Sequence, residues 1–214
     1  MPKTIKQLKW RYAVKKFDAD KKLSKTKIDR LKQAFNLTAT SYGLQPIKML
    51  VIQDKKLKEQ LLEHAYFQQQ ITTASHLLVL AIDTDFTTKN VDAYFDLEKK
   101  IRGTSEEIIG KFRNQLKDTI SGKTKEEIEQ MAKNQAYIAL GNLMTVCAYE
   151  KIDSCPMEGF NADKFDEILK LKDKKLKSVL LLPVGYRAED DFMRKLKKVR
   201  KPIKDSVIEI KNEL

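Results

Sequence analysis

The stretch HLLVLAID, at residues 76–83, is the feature that most constrains the fold of this chain. It is apolar almost throughout and has the length of a β-strand, which is typical of a strand covered on both faces of its sheet. A second apolar run, SVLLLPVGY, occupies residues 178–186. Burying both runs requires helices on either side of a sheet, so we expect an α+β protein.

The remaining patterns predict helices and further strands around these two runs. Ser24 is a candidate N-cap for a helix that ends near Leu37. Thr124 and Glu127 form a capping-box pattern for a long helix over about 125–150, which is apolar almost all round and should be buried. The other predicted elements are strands at 47–53 and 205–211, helices at 55–64, 88–101 and 105–119, and a helix capped by Asn161.

The predicted strand at 205–211 stands apart from the others. It follows KKVRKP, and Pro202 biases the preceding residue away from helix, so the chain should run extended there. A terminal strand after an extended arm often pairs with a neighbouring subunit, which predicts an intertwined homodimer. The length of 214 residues predicts one domain spanning 1–214.

The net charge of +12 favours anionic partners such as nucleic acids, phosphate-bearing cofactors or acidic membranes, although most of the lysines are expected on solvated helix faces. Cys147 and Cys155 fit neither a zinc spacing nor a CxxC motif, and two cysteines do not make a disulfide framework. This indicates a reducing compartment, so we expect a cytoplasmic protein. The sequence offers neither a transmembrane segment nor a signal peptide, so we expect no membrane partner.

Common catalytic motifs are missing from the sequence. The seven glycines are scattered, so no GxGxxG or P-loop is present, and neither HExxH nor GxSxG occurs. His64 and His76 have no plausible metal-ligand neighbours in sequence, and we expect no metal site. Because His76 opens an apolar strand, we interpret it as a hydrogen-bonded structural histidine.

Four short stretches carry the candidate chemistry: RYAVKKFD at 11–18, TSYGLQP at 40–46, PMEGF at 156–160 and KVR at 198–200. A helical turn would place Arg11 and Lys15 on one face, and an extended chain would do so for Lys198 and Arg200. Arg11, Lys198 and Arg200 could then converge on one phosphate dianion through charge-assisted hydrogen bonds. Taken singly, each of these residues is more often an ordinary surface ion-pair residue.

Together, and in this order, the stretches resemble the FMN-dependent nitroreductase family. YFQQQITTASH, at 66–76, is similar to the family's second flavin segment, and GYR, at 185–187, to the start of its C-terminal phosphate arm. The resemblance covers nearly the whole chain. It implies a nitroreductase-like α/β sandwich, with a central mixed sheet, helices on both faces and a C-terminal strand exchanged in an intertwined dimer.

The resemblance also implies roles for individual residues. Arg11, Lys198 and Arg200 would hold the FMN phosphate, and a backbone N–H of the Glu158–Gly159 pair would point at flavin N5. Ser41 would reach the flavin of the other subunit. The full set of implied cofactor-binding residues is Arg11, Tyr12, Ala13, Lys15, Ser41, Gln70, Pro156, Glu158, Gly159, Lys198 and Arg200. The candidates for contact with NAD(P)H or substrate are Lys15, Tyr42, Phe67, Arg102 and Phe112.

The implied function is NAD(P)H-dependent reduction of nitroaromatics, quinones or related acceptors by ping-pong hydride transfer through flavin N5, without a certain catalytic side chain. Residues 88–122 would form a lid over the substrate channel. Two departures from the family pattern are Ala13, where many relatives have Ser, and Phe67, where many have Asn; Gln68 is a candidate replacement. The alternative is a basic nucleic-acid-binding protein that uses exposed aromatic residues such as Trp10 and Tyr12.

Overall fold

The computed structural model of the chain describes residues 1–210 and contains a four-stranded sheet. Its strands are β1 (Ile47–Ile52), β2 (His76–Asp83), β3 (Asp153–Ser154) and β4 (Leu176–Gly185), in the spatial order β1-β2-β4-β3. β2 and β4 are the central strands, and residues 77–82 of β2 are fully buried. The two apolar runs therefore form the middle of the sheet, as the sequence predicts.

Helices surround this sheet and form most of the rest of the described chain. The helical bounds are α1 Lys3–Trp10, α2 Lys25–Asn36, α3 Lys55–Leu62, α4 Gln70–Thr73, α5 Thr88–Arg102, α6 Glu106–Ser121, α7 Lys125–Tyr149 and α8 Ala162–Ile168. The predicted N-caps are confirmed. The Ser24 side chain accepts from the Lys27 N–H at the start of α2, Asn161 caps α8, and Thr124 and Glu127 form a reciprocal capping box at α7.

The side chains of the central strands alternate between two cores. Leu78, Leu80 and Ile82 face α2 and α7, whereas Leu77 and Val79 face residues of α3, α4 and α8. This alternation confirms an α+β fold with helices on both faces of the sheet. His76, at the start of β2, is buried with its Nδ1 2.9 Å from the Ser75 Oγ, which confirms the structural role predicted for it.

A third apolar cluster joins the α5–α6 hairpin to the body of the protein. It contains Leu44, Phe86, Val91 and Phe95 together with residues of α6. α7 lies beneath this hairpin, but only part of its surface is covered: Tyr137 and Ile138 remain about half exposed, although the sequence predicts an almost wholly buried helix. Neither side chain belongs to one of the three apolar clusters of the described chain.

The sheet is antiparallel in all three of its ladders, whereas a mixed sheet was expected. Each strand returns beside its neighbour in the reverse direction, and strand direction is not encoded in an apolar run. The parallel pairing in the described chain is an isolated bridge between Ala13 and Ser154. This bridge explains a second difference: α1 ends at Trp10 and Arg11 is extended, so Arg11 and Lys15 do not share a helical turn.

The C-terminal segment also differs from the prediction of a strand at 205–211. Residues 203–205 form a 3-10 turn, and the following residues up to 210 form no strand; residue 211 lies outside the described part. Ile208 and Ile210 are almost fully exposed. A strand requires an edge to pair with, and residues 205–210 find none in the single described chain. Exchange of this segment between subunits stays a prediction.

Candidate functional site

Three cations that are far apart in sequence lie together beside the end of α1. Arg11, Lys198 and Arg200 line a cavity of about 460 Å³, and the Lys198 Nζ donates to the Arg11 carbonyl. Burial and then the neighbouring Arg200 lower the pKa of Arg11. Burial, followed by Arg11 and Arg200, lowers the pKa of Lys198. The three groups are therefore close enough to repel one another.

No carboxylate balances this cluster among residues 1–210. The ion pairs there involve other cations, and the Arg11 Nε is buried without a hydrogen-bond acceptor. An unpaired buried guanidinium nitrogen is costly, and it is satisfied best by an anionic ligand. Its positive charge and its open nitrogen make the cluster a candidate site for an anion.

Arg187 lines the same cavity but belongs to a different kind of arrangement. Its guanidinium donates to Asp153 through Nε, at 2.8 Å, and through a terminal nitrogen, while its backbone N–H bonds the other carboxylate oxygen at 2.9 Å. The guanidinium also lies 4.4 Å from the Trp10 ring centre and 4.5 Å from the Tyr12 ring centre. Arg187 is thus held in place by a carboxylate and two aromatic rings, as a structural residue is.

Asp191 holds residues 12–16, the stretch that follows Arg11 in sequence. Its buried carboxylate accepts from the backbone N–H groups of Lys15, at 2.9 Å, and Lys16, at 3.3 Å, and from the Tyr12 hydroxyl at 3.3 Å. Asp153 and Asp191 were both missed by sequence reasoning. Asp191 ends an acidic run that follows GYR, and Asp153 shortly precedes the stretch at 156–160, but neither position carries a specific meaning by itself.

Lys15 and Gln70 approach the same loop from two directions. Gln70 is buried on α4, with its Nε2 3.9 Å from the Cys155 Sγ. Burial raises the pKa of the Cys155 thiol, and the positive charge of nearby Lys15 opposes this shift. Lys15 and Gln70 therefore both lie beside the start of the segment 155–159.

The segment 155–159 is held at its centre by backbone hydrogen bonds, whereas backbone N–H groups at its end have no acceptor within residues 1–210. Met157 exchanges backbone hydrogen bonds of 2.9 and 3.0 Å with Leu181. At the other end, the Gly159 carbonyl accepts from the Gln68 Nε2 at 2.8 Å. The N–H groups of Glu158 and Gly159 donate to no acceptor within residues 1–210. They are free to bind a ligand.

Gly159 is not required by the packing of the chain itself. Its φ is not positive, and an added Cβ would sit 3.6 Å from the Gln68 Nε2, an ordinary van der Waals distance. A side chain there would instead occupy the open space over the exposed backbone. Gln68, the candidate replacement for the missing Asn, has its amide nitrogen bound to the carbonyls of Ala65 and Gly159, so it fixes this backbone.

Two exposed aromatic residues lie on the turn next to Gly159. Tyr66 and Phe67 both have left-handed backbone conformations, with φ of 52° and 54°. Phe67 is 69% exposed. Consecutive non-glycine residues in this region are strained, and such strain concentrates at functional sites. The turn presents an apolar surface beside the bare backbone.

The remaining predicted residues form a second group at the α5–α6 hairpin. The Ser41 N–H donates to the Gln135 Oε1 at 2.8 Å, and the exposed Tyr42 ring lies 6.2 Å from the Phe112 ring. The Gly43 backbone has a φ of 73°, and a Cβ there would come within 2.8 Å of the Tyr94 ring. None of this group lines the cavity of the cation cluster.

Arg102 belongs to neither group. It is the last residue of α5, largely exposed, with a guanidinium nitrogen 2.8 Å from the Glu98 Oε1.

Within residues 1–210, no helix combines the length and the apolar character needed to span a bilayer. In the same part of the chain, no group of three or more His, Cys, Asp or Glu residues is arranged to hold a metal ion.

Comparison with known proteins places this chain in a family. The model of the Nitroreductase family matches residues 8–186. A Staphylococcus epidermidis protein that is 34% identical over 194 residues, covering 85% of this chain and 86% of its own length, carries the provisional name NAD(P)H nitroreductase. A Staphylococcus aureus protein with the same provisional name is 32% identical over 189 residues, covering 85% of each chain. The chain belongs to the nitroreductase family, which confirms the resemblance seen in its motifs.

Solved structures show the same fold. A Bacillus subtilis protein, provisionally a nitroreductase, superposes with a TM-score of 0.86 at 18% identity, covering 96% of this chain and 98% of its own. A provisionally named nitroreductase from Exiguobacterium sibiricum, solved in complex with FMN, superposes with a TM-score of 0.83 at 20% identity, covering 98% of both chains. The similarity extends over almost the full length, so the shared feature is the whole fold.

Proposed function

We propose that this protein is an FMN-dependent NAD(P)H oxidoreductase that reduces nitroaromatics, quinones or related small acceptors. The observation that carries the proposal is the unpaired cluster of Arg11, Lys198 and Arg200 in a chain of this family. The names of the staphylococcal relatives and the FMN bound to the Exiguobacterium protein point to the same cofactors.

The residues present fit FMN at both ends of the molecule. Its phosphate is a dianion that the three cations and the orphaned Arg11 Nε would satisfy. Its isoalloxazine ring is flat and partly apolar, and the free N–H groups of Glu158 and Gly159 offer hydrogen bonds to one edge of it. Pro156 is the second residue of this segment, and Phe67 provides an apolar neighbour.

When bound, FMN supplies two-electron transfer at its N5 position from NAD(P)H to the acceptor, in two alternating half-reactions. Lys15, held through its backbone by Asp191, would place a positive charge near the pyrimidine edge of the flavin and favour its reduction. The buried Gln70 amide would hydrogen-bond the same edge of the flavin. Tyr66 and Phe67 would cover the open side of the site and exclude water.

The complete site is shared between two copies of the chain. Ser41, Tyr42 and Phe112 form a group of their own at the hairpin, and they would contact the flavin or substrate of the other subunit. Apolar side chains of the C-terminal arm are largely exposed and need cover: Leu196, Val199, Ile203, Ile208 and Ile210. A homodimer in which this arm crosses to the second copy would bury them.

The dimer is tested by deleting residues 203–214. We expect the truncated protein to lose dimer stability and to release flavin together, as measured by sedimentation and by the absorbance of retained FMN. A monomeric truncated protein that keeps a full complement of flavin would contradict a shared site.

The function is tested by titrating the flavin-free protein with FMN and then comparing NADH and NADPH against a panel of quinones and nitroaromatics. Failure to bind FMN would overturn the proposal. The alternative of nucleic-acid binding is not favoured, since the Arg187 guanidinium covers one face of both the Trp10 and the Tyr12 ring. DNA binding with a steep salt dependence would revive it.

A further inference from the structure

Lys58 is a buried lysine whose position the proposed chemistry does not explain. It lies on α3 and is only 2% exposed. None of the ion pairs of residues 1–210 involves it. Its Nζ donates instead to two backbone carbonyls, those of Thr72 at 3.3 Å and Ala74 at 2.5 Å. Burying an ammonium group without a counter-ion is costly, so these two bonds must serve a purpose.

The two carbonyls belong to the C-terminal end of α4. This helix is a single turn, Gln70–Thr73, followed by its C-cap residue Ala74. One isolated turn is unstable in water, and its last carbonyls have no partner within the helix. The Lys58 ammonium supplies both the missing donors and a positive charge at the negative end of the helix. Lys58 therefore acts as a side-chain cap for α4.

The capped helix carries Gln70 into the candidate flavin site. Gln70 is the first residue of α4, and its amide reaches the Cys155 Sγ at the start of the segment 155–159. Its distance from the cap is only one helical turn. A change in the tilt of α4 would therefore move the Gln70 amide relative to that segment.

We propose that Lys58 is a positioning residue for cofactor binding. It holds α4 so that the Gln70 side chain is fixed against the segment 155–159, which would face the flavin ring. This inference rests on the proposed function, in which Gln70 contacts the flavin. Lys58 itself touches neither Gln70 nor the segment 155–159; its effect passes through the carbonyls of α4.

The test is a double-mutant cycle on FMN affinity. The dissociation constant is measured by titrating flavin-free wild type, Lys58→Met, Gln70→Ala and the double variant. We expect Lys58→Met to weaken binding roughly 5- to 20-fold, the loss of about one hydrogen bond from a misplaced amide. In the Gln70→Ala background the same substitution should have almost no further effect, because residues that act through one another are not additive.

Leu31→Ala is the matched control for lost stability. Leu31 is fully buried on α2, in the core on the opposite face of the sheet. It should lower the melting temperature without changing FMN affinity. A second readout needs no flavin: the amides of Thr73 and Ala74, bonded within α4, should exchange faster with solvent in Lys58→Met but not in Leu31→Ala.

Three results would overturn the inference: wild-type affinity in Lys58→Met, additive losses in the double variant, or unchanged affinity in Gln70→Ala. Wild-type binding of FMN decides the proposed function separately from all three. If Lys58→Met does not fold, Lys58→Gln, which keeps one donor for the carbonyls, takes its place in the same cycle. It should show the same lack of additivity with a smaller first loss.

Discussion

Arg11 and Arg187 line the same cavity, but the chain satisfies them in opposite ways. Arg187 is held by Asp153 through its side chain and stacked on two aromatic rings. Arg11 has a buried nitrogen without an acceptor, and the charges closest to it are positive. Both residues have the same side chain, so the difference arises from the groups placed around them.

The difference separates stability from binding. An arginine that pairs with a buried carboxylate stabilises the fold, because removing it leaves that carboxylate unpaired. A partly buried arginine among other cations lowers the stability of the fold until an anion binds. Sites that violate the rules of stable folding in this way are expected to be functional. Substitutions at the two positions should therefore have opposite signatures.

The largest effect is expected at Arg187. Arg187→Met leaves the buried Asp153 carboxylate without its cation and should lower the free energy of unfolding by about 3–5 kcal/mol, as measured by chemical denaturation. Arg30→Met is the matched control, because Arg30 pairs with Glu150 on the surface and such pairs are worth at most about 1 kcal/mol. Similar losses in the two variants would remove the contrast between buried and exposed pairs.

The next largest effect is expected at the cation cluster. Arg11→Met and Arg200→Ala should each cost about 1.5–3 kcal/mol in FMN binding, or roughly 10- to 150-fold in Kd. The flavin-free variants should be no less stable than the wild type, because repulsion is relieved. Lys204→Ala, which removes one charge from the same exposed arm, should leave Kd unchanged. Unchanged flavin retention in Arg200→Ala would remove Arg200 from the site.

The features that the sequence predicts correctly depend on residues close together in the chain or on short motifs. The strands at 76–83 and 178–186 and the caps at Ser24, Thr124 and Asn161 depend on neighbouring residues, and the structure has them where the pattern places them. The motifs also select Arg11, Lys198 and Arg200 as one group, although the expected helical turn at Arg11 is absent.

The rest depends on contacts between distant parts of the chain. Asp153 lies 34 positions from Arg187, and Asp191 lies 176 positions from Lys15. No local pattern announces such a pairing. The burial of Lys58 is equally hidden, because its partners are backbone carbonyls with no sequence signature. The exposed C-terminal arm is a different case, since its cover would come from a second copy.

Lys58 extends the comparison to a third cation, which is buried and donates its hydrogen bonds to backbone carbonyls. Burial lowers the pKa of Lys58 to about 8, from an ordinary value of 10.5, and Lys22 adds to the shift while Asp54 and Glu59 oppose it. Because the folded-state pKa is the lower one, the unfolded chain binds more protons between these values. Stability should therefore rise with pH across the window from about 8 to 10.5.

The size of this rise is about 2 kcal/mol between pH 8 and pH 10. Below pH 8 the lysine is increasingly charged in both states, and its contribution levels off. The measurement is urea denaturation across this range in wild type and Lys58→Met, since other groups also titrate there and the difference isolates Lys58. Parallel pH profiles in the two proteins would contradict the lowered pKa.

Lys15 tests whether a cation near the ring tunes the cofactor rather than holding it. Lys15→Met should lower the midpoint potential of bound FMN by on the order of 30 mV, equivalent to about 1.4 kcal/mol for two electrons. Reduction by NAD(P)H should slow, reoxidation should not, and the phosphate anchor should survive. Lys16→Met is the control, because Lys16 is exposed and pairs with Asp190. If Lys15 were an ordinary surface lysine, redox titration and stopped-flow spectroscopy would give the same midpoint potential and the same rate of reduction in Lys15→Met and in Lys16→Met.

The smallest effect is expected at Arg102, which is a candidate from the sequence for contact with NAD(P)H or substrate and which could bind the extra phosphate of NADPH. Its guanidinium already pairs with Glu98 one turn away on α5, at a largely exposed helix end. An exposed pair of this spacing contributes about 0.3–0.5 kcal/mol, so Arg102→Ala should lower stability by no more than that. The ratio of kcat/KM for NADPH over NADH should change less than about twofold, because RT ln 2 is only about 0.4 kcal/mol. A tenfold fall in that ratio, without a fall for NADH, would mean that Arg102 leaves Glu98 to bind the phosphate. Glu98→Gln separates the two cases: it should raise the preference for NADPH only if the guanidinium it frees contacts the nucleotide.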